Sequence, residues 1–298
     1  MDTSQTPAQK LANFAACYHL LHTLGIKQRL HIDIAHEKIV ESPLQSLILL
    51  TAYLHERAGA SPLFPVYHRQ AIRLALDGKD DVSWQEIDSK FREDVMDGNF
   101  ADKVWEQFLK LASKPNKKYT IGPVKGILNK LYCEKQPNVI QLLCGKSLEE
   151  TSKWLKDKKL LKGIGPKLRA FILRDIACYF KPEWKNDKQQ RWRIQPVDRW
   201  ILRWAEICFQ NCKGQWKSEH DKNARMIDSN LLNVDPVKFN QGAWFAGSYF
   251  ARLCAFFSLP ESYIARGPTL EALDRFDVKK VKSAIELFVG NIDRIFGL

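Results

Sequence analysis

Residues Ser147 to Phe180 read SLEETSKWLKDKKLLKGIGPKLRAFILRDIACYF, and they divide into a helix, a tight turn and a second helix. Apolar residues recur at helical spacing on both sides of Lys162-Gly163-Ile164-Gly165, the pattern of two amphipathic helices. Pro166 opens the second helix, where its missing N–H costs nothing. Two glycines around one aliphatic residue let the backbone turn sharply while Ile164 anchors the turn in a core. The amides of the turn and of the next helix start then face outward, a seat for a phosphate oxygen. Eight Lys+Arg against three Asp+Glu between Lys146 and Arg169 place positive charge beside that seat.

Working outward from this hairpin, the whole chain reads as helices. Apolar residues at helical spacing mark 8–24, 43–57, 66–77, 84–95, 101–113, 122–133, 137–144, 147–159, 166–180, 198–211, 221–231, 237–257 and 277–295. Pro-containing breaks such as Ser61-Pro62, Gln136-Pro137 and Gly267-Pro268 separate them. Short β-like stretches exist, Leu30 to Ile34 among them, but none alternates long enough to build a sheet. The fold class expected is all-α. The helix Pro43–Arg57 is apolar on nearly every side up to Leu54, which predicts a helix buried in the middle of a bundle. We expect an N-terminal helix in 1–42 that packs with the C-terminal lobe, a helical lobe over 43–195 and a C-terminal lobe over 196–298.

Composition narrows the setting. The 298 residues, 45% of them hydrophobic, suffice for one large globular unit or two smaller ones. The longest apolar run, around Leu47 to Leu54, is too short for a bilayer, and MDTSQTPAQK shows no export signal. The expected setting is intracellular: cytoplasm or nucleoid, or the nucleus of a eukaryotic host. Seven scattered cysteines without a CxxC pair read as buried free thiols rather than a disulfide framework. Cys208 and Cys212, one helical turn apart, are too few to make a zinc site or an iron–sulfur cluster. The net charge of +12 is uneven. Residues 1–100 hold 10 Lys+Arg against 13 Asp+Glu, whereas the remainder holds 36 against 21. That asymmetry suits a basic face for a phosphate backbone, and equally a lysine-rich solvated surface.

The pattern apolar-x-Gly-Ile-Gly-x-Lys ending at Lys167 resembles the helix-hairpin-helix of the DNA glycosylase superfamily that includes endonuclease III and the 8-oxoguanine glycosylases. A second element is similar as well: Ile194-Gln195-Pro196-Val197-Asp198-Arg199-Trp200-Ile201 resembles the Pro-Val-Asp that opens the next helix in those enzymes. The resemblance covers about residues 43–212. It implies a two-lobed helical glycosylase with DNA in the cleft between lobes, Lys167 as nucleophile and Asp198 as catalytic carboxylate. It further implies backbone contacts from Lys162, Gly163, Ile164, Gly165 and Arg169, and a duplex-wedging role for His55 or Arg57 at the end of helix 43–57. No four-cysteine loop follows Asp198, so no iron–sulfur cluster is expected and no cofactor is required. A monovalent cation on the hairpin backbone is the one ion the resemblance allows. The 31 residues from Lys167 to Asp198 include a basic insert, KPEWKNDKQQRWR. A long interval without a cluster is most similar to the archaeal-type 8-oxoguanine glycosylases (the AGOG group). There, an aromatic residue one turn after the lysine and a tryptophan from a C-terminal helix sandwich the base. Phe171 and Trp244 match those places, with Gln45 and Gln241 as candidates for reading the base edge.

The chemistry implied is base removal from a flipped nucleotide in double-stranded DNA, a Schiff base at the sugar C1′, and strand cleavage by β-elimination. A lysine amine must shed its proton before it attacks, and Lys162, Arg169 and a partly buried helix start are expected to favour that. Each residue also has a plainer role: Asp198 as a helix N-cap, Lys167 as a phosphate contact, Phe171 as core, and His55 to Arg57 as an ordinary polar helix end. Two functional alternatives stay open beside excision of an oxidised purine by a monomer. One keeps the fold and changes the base to an oxidised pyrimidine or a mismatched thymine. The other is a non-catalytic DNA-binding module.

Overall fold

In the computed structural model, the chain is described over residues 5–30, 36–57, 64–76, 84–111, 122–157, 161 and 164–287. Among these residues every regular element is a helix and no strand occurs. Two units divide the chain: residues 25–182, and residues 1–24 together with 183–298.

The helices begin with α1 (Pro7–Asn13), α2 (Ala15–Leu30) and α3 (His36–Glu41). The unit 25–182 then contains α4 (Pro43–Arg57), α5 (Phe64–Ala75), α6 (Trp84–Asp94), α7 (Phe100–Leu111), α8 (Gly122–Glu134), α9 (Val139–Cys144), α10 (Leu148–Leu155) and α11 (Pro166–Tyr179). Its axis is α4. Every residue from Ser46 to Leu54 is at most 1% exposed, as a helix apolar all round requires. The two hydroxyls within that stretch are satisfied locally, Ser46 Oγ on the Pro43 carbonyl at 2.7 Å and Thr51 Oγ1 on that of Ile48 at 2.7 Å. Helices α3, α5, α6, α9 and α11 pack around it. At its start, Ser42 Oγ accepts the Gln45 N–H (3.2 Å) and the Asp88 carboxylate accepts that of Leu44 (2.8 Å), so two first-turn amides are capped. Helix α10 opens on a capping box, with Ser147 and Glu150 each bonding the other's backbone N–H.

The second unit is built from α1, α12 (Arg199–Cys208), α13 (His220–Asn230), α14 (Pro236–Ser248), α15 (Phe250–Phe256), α16 (Glu261–Arg266), α17 (Leu270–Arg275) and α18 (Val278–Leu287). Leu11, Phe14, Trp204, Phe239 and Phe245, none more than 1% exposed, form its centre. Two glycines set the approach of α14 to its neighbours. A Cβ on Gly242 would lie 1.8 Å from the Leu11 carbonyl oxygen on α1, and one on Gly247 would lie 2.7 Å from Trp200 Cβ on α12.

The sequence boundaries at 42/43 and 195/196 differ from those of the structure at 24/25 and 182/183. Helix α3 packs on α4 and α9, which draws residues 36–41 into the first unit. Trp184, Trp192 and Ile194 are buried, and Trp192 belongs to the core of the second unit, which draws the basic insert there. One expected helix, 237–257, is two: α14 ends at Ser248, Tyr249 caps it, and α15 follows. The break comes just after a Gly-Ser pair, where helices bend most readily. Helices α3, α16 and α17, six residues each, were not expected.

Candidate active site

Lys167 stands in the first turn of α11. The N-cap there is Gly165, which offers no side-chain acceptor, so the first-turn amides are not capped from within. Ile164 is buried (9% exposed) and anchors the approach, as expected, while Gly165 and Lys167 are exposed. Lys162 and Gly163 lie outside the described residues, as does part of the backbone on which a monovalent cation was expected.

Gly165 is unusual among the described glycines with open surroundings. A Cβ on Gly165, Gly214 or Gly267 would meet nothing within 4 Å, but Gly214 and Gly267 have φ of +69° and +73°, which explains them. Gly165 has φ −75° and ψ 173°, ordinary for any residue. The turn therefore does not need glycine here for its dihedrals, contrary to the sequence expectation. Ser, Asp or Asn would cap α11 better. Glycine instead leaves space and bare amides at the helix N-terminus, which is what an incoming anion uses.

Lys167, Phe171 and Arg174 lie along one face of α11. The Lys167 ammonium is 5.5 Å from the Phe171 ring centroid and the Arg174 guanidinium is 4.8 Å from it. Phe171 is 2% exposed and Arg174 fully buried, with the Arg174 Nε on the Asp175 carboxylate at 2.8 Å. Sequence reasoning passed over Arg174, although it is one turn beyond Phe171 at helical spacing. Arg169 is buried as well, at 8% exposed. The partly buried helix start expected from sequence is exposed instead, at Gly165, Pro166 and Lys167 alike.

Asp198 belongs to the other unit and caps α12. Its Oδ1 accepts from the amides of Trp200 (2.9 Å) and Ile201 (3.0 Å). The loop before it is clamped from three sides. Asn240 Nδ2 donates to Gln195 Oε1 (3.2 Å) and to the Pro196 carbonyl (3.1 Å), and Gln195 Nε2 donates to the Pro236 carbonyl (3.2 Å). The Val197 N–H donates to His220 Nε2 at 3.0 Å, which puts the imidazole proton on Nδ1, 3.2 Å from the Asp221 carboxylate. Gln195, Asn240 and His220 were not singled out from sequence. Gln195, inside the quoted Pro-Val-Asp motif, was the available signal.

Trp244 is half-buried on α14 and meets Tyr18 edge-on at 5.8 Å and Tyr249 edge-on at 6.3 Å. Three residues earlier, Gln241 is fully buried and neither its Oε1 nor its Nε2 has a hydrogen-bond partner among the described residues. Gln45, half-buried in the first turn of α4, contributes its amide to the Ser42 cap. The side chains of His55 and Arg57 lie outside the described residues.

Among the described residues no group of three His, Cys, Asp or Glu is placed to hold a metal ion. None of the helices among them is long and apolar enough to cross a membrane. Comparison with models of protein families, with curated proteins and with solved structures finds no match to this chain.

Proposed function

We propose that the chain is a bifunctional DNA glycosylase and abasic-site lyase that excises an oxidised purine, 8-oxoguanine first. One observation carries this reading: an exposed lysine two residues beyond a glycine that neither its own dihedrals nor its neighbours require. The bare helix start holds a backbone phosphate, and Lys167 then stands next to the sugar on which that phosphate hangs. Attack of its amine on C1′ displaces the base, and cleavage of the C1′–O4′ bond, with a proton passing from nitrogen to O4′, then opens the sugar to the Schiff base. Loss of a C2′ proton then expels the 3′ phosphate and cuts the strand. Asp198 stabilises the cationic sugar while it caps α12, because a carboxylate can accept both amides on one oxygen. Stacking of the base on Phe171 requires displacement of the cations beside that ring, and attack on C1′ requires the same of Lys167. A buried amide without partners, as in Gln241, suits the reading of a base edge, where a mismatched group is heavily penalised.

Borohydride trapping on duplexes that carry 8-oxoguanine, thymine glycol, a thymine mismatch or an abasic site tests the proposal. The covalent adduct is expected with 8-oxoguanine and with the abasic site, and Lys167→Ala should abolish it while duplex affinity stays within about twofold. Adduct formation with thymine glycol alone would shift the substrate to an oxidised pyrimidine. Salt-dependent duplex binding with no adduct on any lesion would leave a non-catalytic binding module.

A further inference from the structure

The basic insert between α11 and α12 folds as two short 3₁₀ turns, Pro182–Asn186 and Arg191–Ile194, the second laid against α13. Between insert and helix lies a cavity of about 330 Å³, lined by Lys188, Gln189, Arg191, Trp192, Arg225 and Asp228, with Ser229 and Leu232 at its edge. The charges on this lining are not equivalent. Arg191 is fully engaged: its Nε sits 3.0 Å from the Asp228 carboxylate, and its Nη2 donates to the carbonyls of Asp228 and Leu231 at 3.3 Å each. That pairing closes the C-terminal end of α13 and cancels the one carboxylate in the cavity. Lys188 and Arg225 are both exposed and have no hydrogen-bond or ion-pair partner among the described residues. Arg225 is nevertheless held still. Its guanidinium lies 3.8 Å from the centroid of the buried Trp192 ring, with Arg193 at 4.4 Å from the same ring. A guanidinium stacked in this way keeps its N–H edge available, and little side-chain entropy remains to be lost when an anion arrives.

We infer that this cavity binds a phosphate group, through a bidentate contact to Arg225 and a point charge from Lys188. A guanidinium fork matches two phosphate oxygens in one plane, the Gln189 side-chain amide adds a neutral donor within the lining, and Leu232, 80% exposed, gives an apolar edge for a sugar or base. The phosphate belongs either to a nucleic-acid backbone or to a free nucleotide. The backbone source rests on the proposed function, as a second point of duplex attachment remote in sequence from Gly165.

The test is the salt dependence of binding to a labelled, undamaged duplex, followed by fluorescence anisotropy for the full chain and for Lys188→Gln, Arg225→Gln and the double variant. Each phosphate contact contributes about 0.9 to the slope of log K against log salt on B-DNA. The double variant should therefore flatten the slope by about 0.9, the share of the one phosphate held there, and Lys188→Gln should give part of that change even if Arg225→Gln disturbs the Trp192 stack. Lys280→Gln on α18, an exposed lysine outside the cavity, is the control. A change in the double variant no larger than that of Lys280→Gln refutes a backbone contact. Calorimetric titration with a nucleoside monophosphate and with inorganic phosphate provides the other arm. Binding that the double variant loses there, with no change in the duplex slope, supports the cavity and assigns it a free nucleotide. No effect in either arm overturns the inference. Lysine-dependent trapping on lesion duplexes at saturating protein should be unchanged in the double variant. A wild-type chain that fails to trap removes the glycosylase reading without altering what the salt slopes say of this cavity.

Discussion

Gly165→Ala separates folding from ligand binding. At φ −75° and ψ 173°, with no atom within 4 Å of an added Cβ, the folded protein accepts the methyl group without movement. Two small effects on stability then oppose each other. Alanine is a poorer N-cap than glycine by up to about 1 kcal/mol, and loss of unfolded-state freedom returns about 0.4–1 kcal/mol. The net change should stay within about 1 kcal/mol, or roughly 2–4 °C in Tm for a unit of this size. Binding should behave differently. The methyl group fills the open space in front of the first-turn amides, where a phosphate oxygen must come to hydrogen-bond distance. Loss of one charge-assisted bond costs about 1.5–3 kcal/mol, which is about tenfold to a hundredfold in duplex affinity. Circular dichroism melting and anisotropy at one fixed salt concentration measure the two quantities. An unchanged affinity with an unchanged Tm would show that the amides after Gly165 hold no phosphate, and the proposed function would lose its main support. A collapse of Tm would contradict the steric argument itself.

Asp198→Asn keeps both cap bonds to Trp200 and Ile201, so Tm should hold while turnover falls by about 10²–10⁴; Asp198→Ala should in addition cost about 1 kcal/mol. Near-normal excision by the asparagine variant would reduce Asp198 to a cap. Gly242→Ala forces a Cβ against the Leu11 carbonyl, which cannot swing aside. A loss of about 3 kcal/mol or more in denaturant unfolding is expected, and a neutral result would refute the close approach of α1 to α14. Iodoacetamide should label exposed Cys133 in the folded protein and spare Cys17 and Cys208, whose thiols burial pushes up to about 12, because only the thiolate reacts. The same shift fixes a sign: from pH 9 to about 12 the unfolded chain gives up thiol protons that the folded chain keeps, so stability should fall as pH rises through that window.

How far the sequence could be read depended on which force set each feature. Helix α4 was legible because nine consecutive buried positions leave no polar face to misread. The start of α11 was legible because Pro166 admits few alternatives, and Asp198 was visible as a cap from its place before an apolar run. Features set by tertiary contact were not. Helices α3, α16 and α17 carry fewer than two turns each, and none has the four aliphatic residues that made the equally short α9 legible. Arg174 is fully buried beside Phe171, and a charged residue in a sequence signals solvent unless its partner is known. Its partner, Asp175, was adjacent all along, but neighbours in a helix do not face each other, so the pair gave no sign of itself. The glycines show the same division from the other side. In sequence, Gly165, Gly242 and Gly247 are alike. In the structure, Leu11 forbids a side chain at Gly242, Trp200 forbids it at Gly247, and among the described residues nothing forbids it at Gly165. A residue kept small against no internal pressure is where an external one should be sought, and the lysine two residues on makes a phosphate the natural source of that pressure.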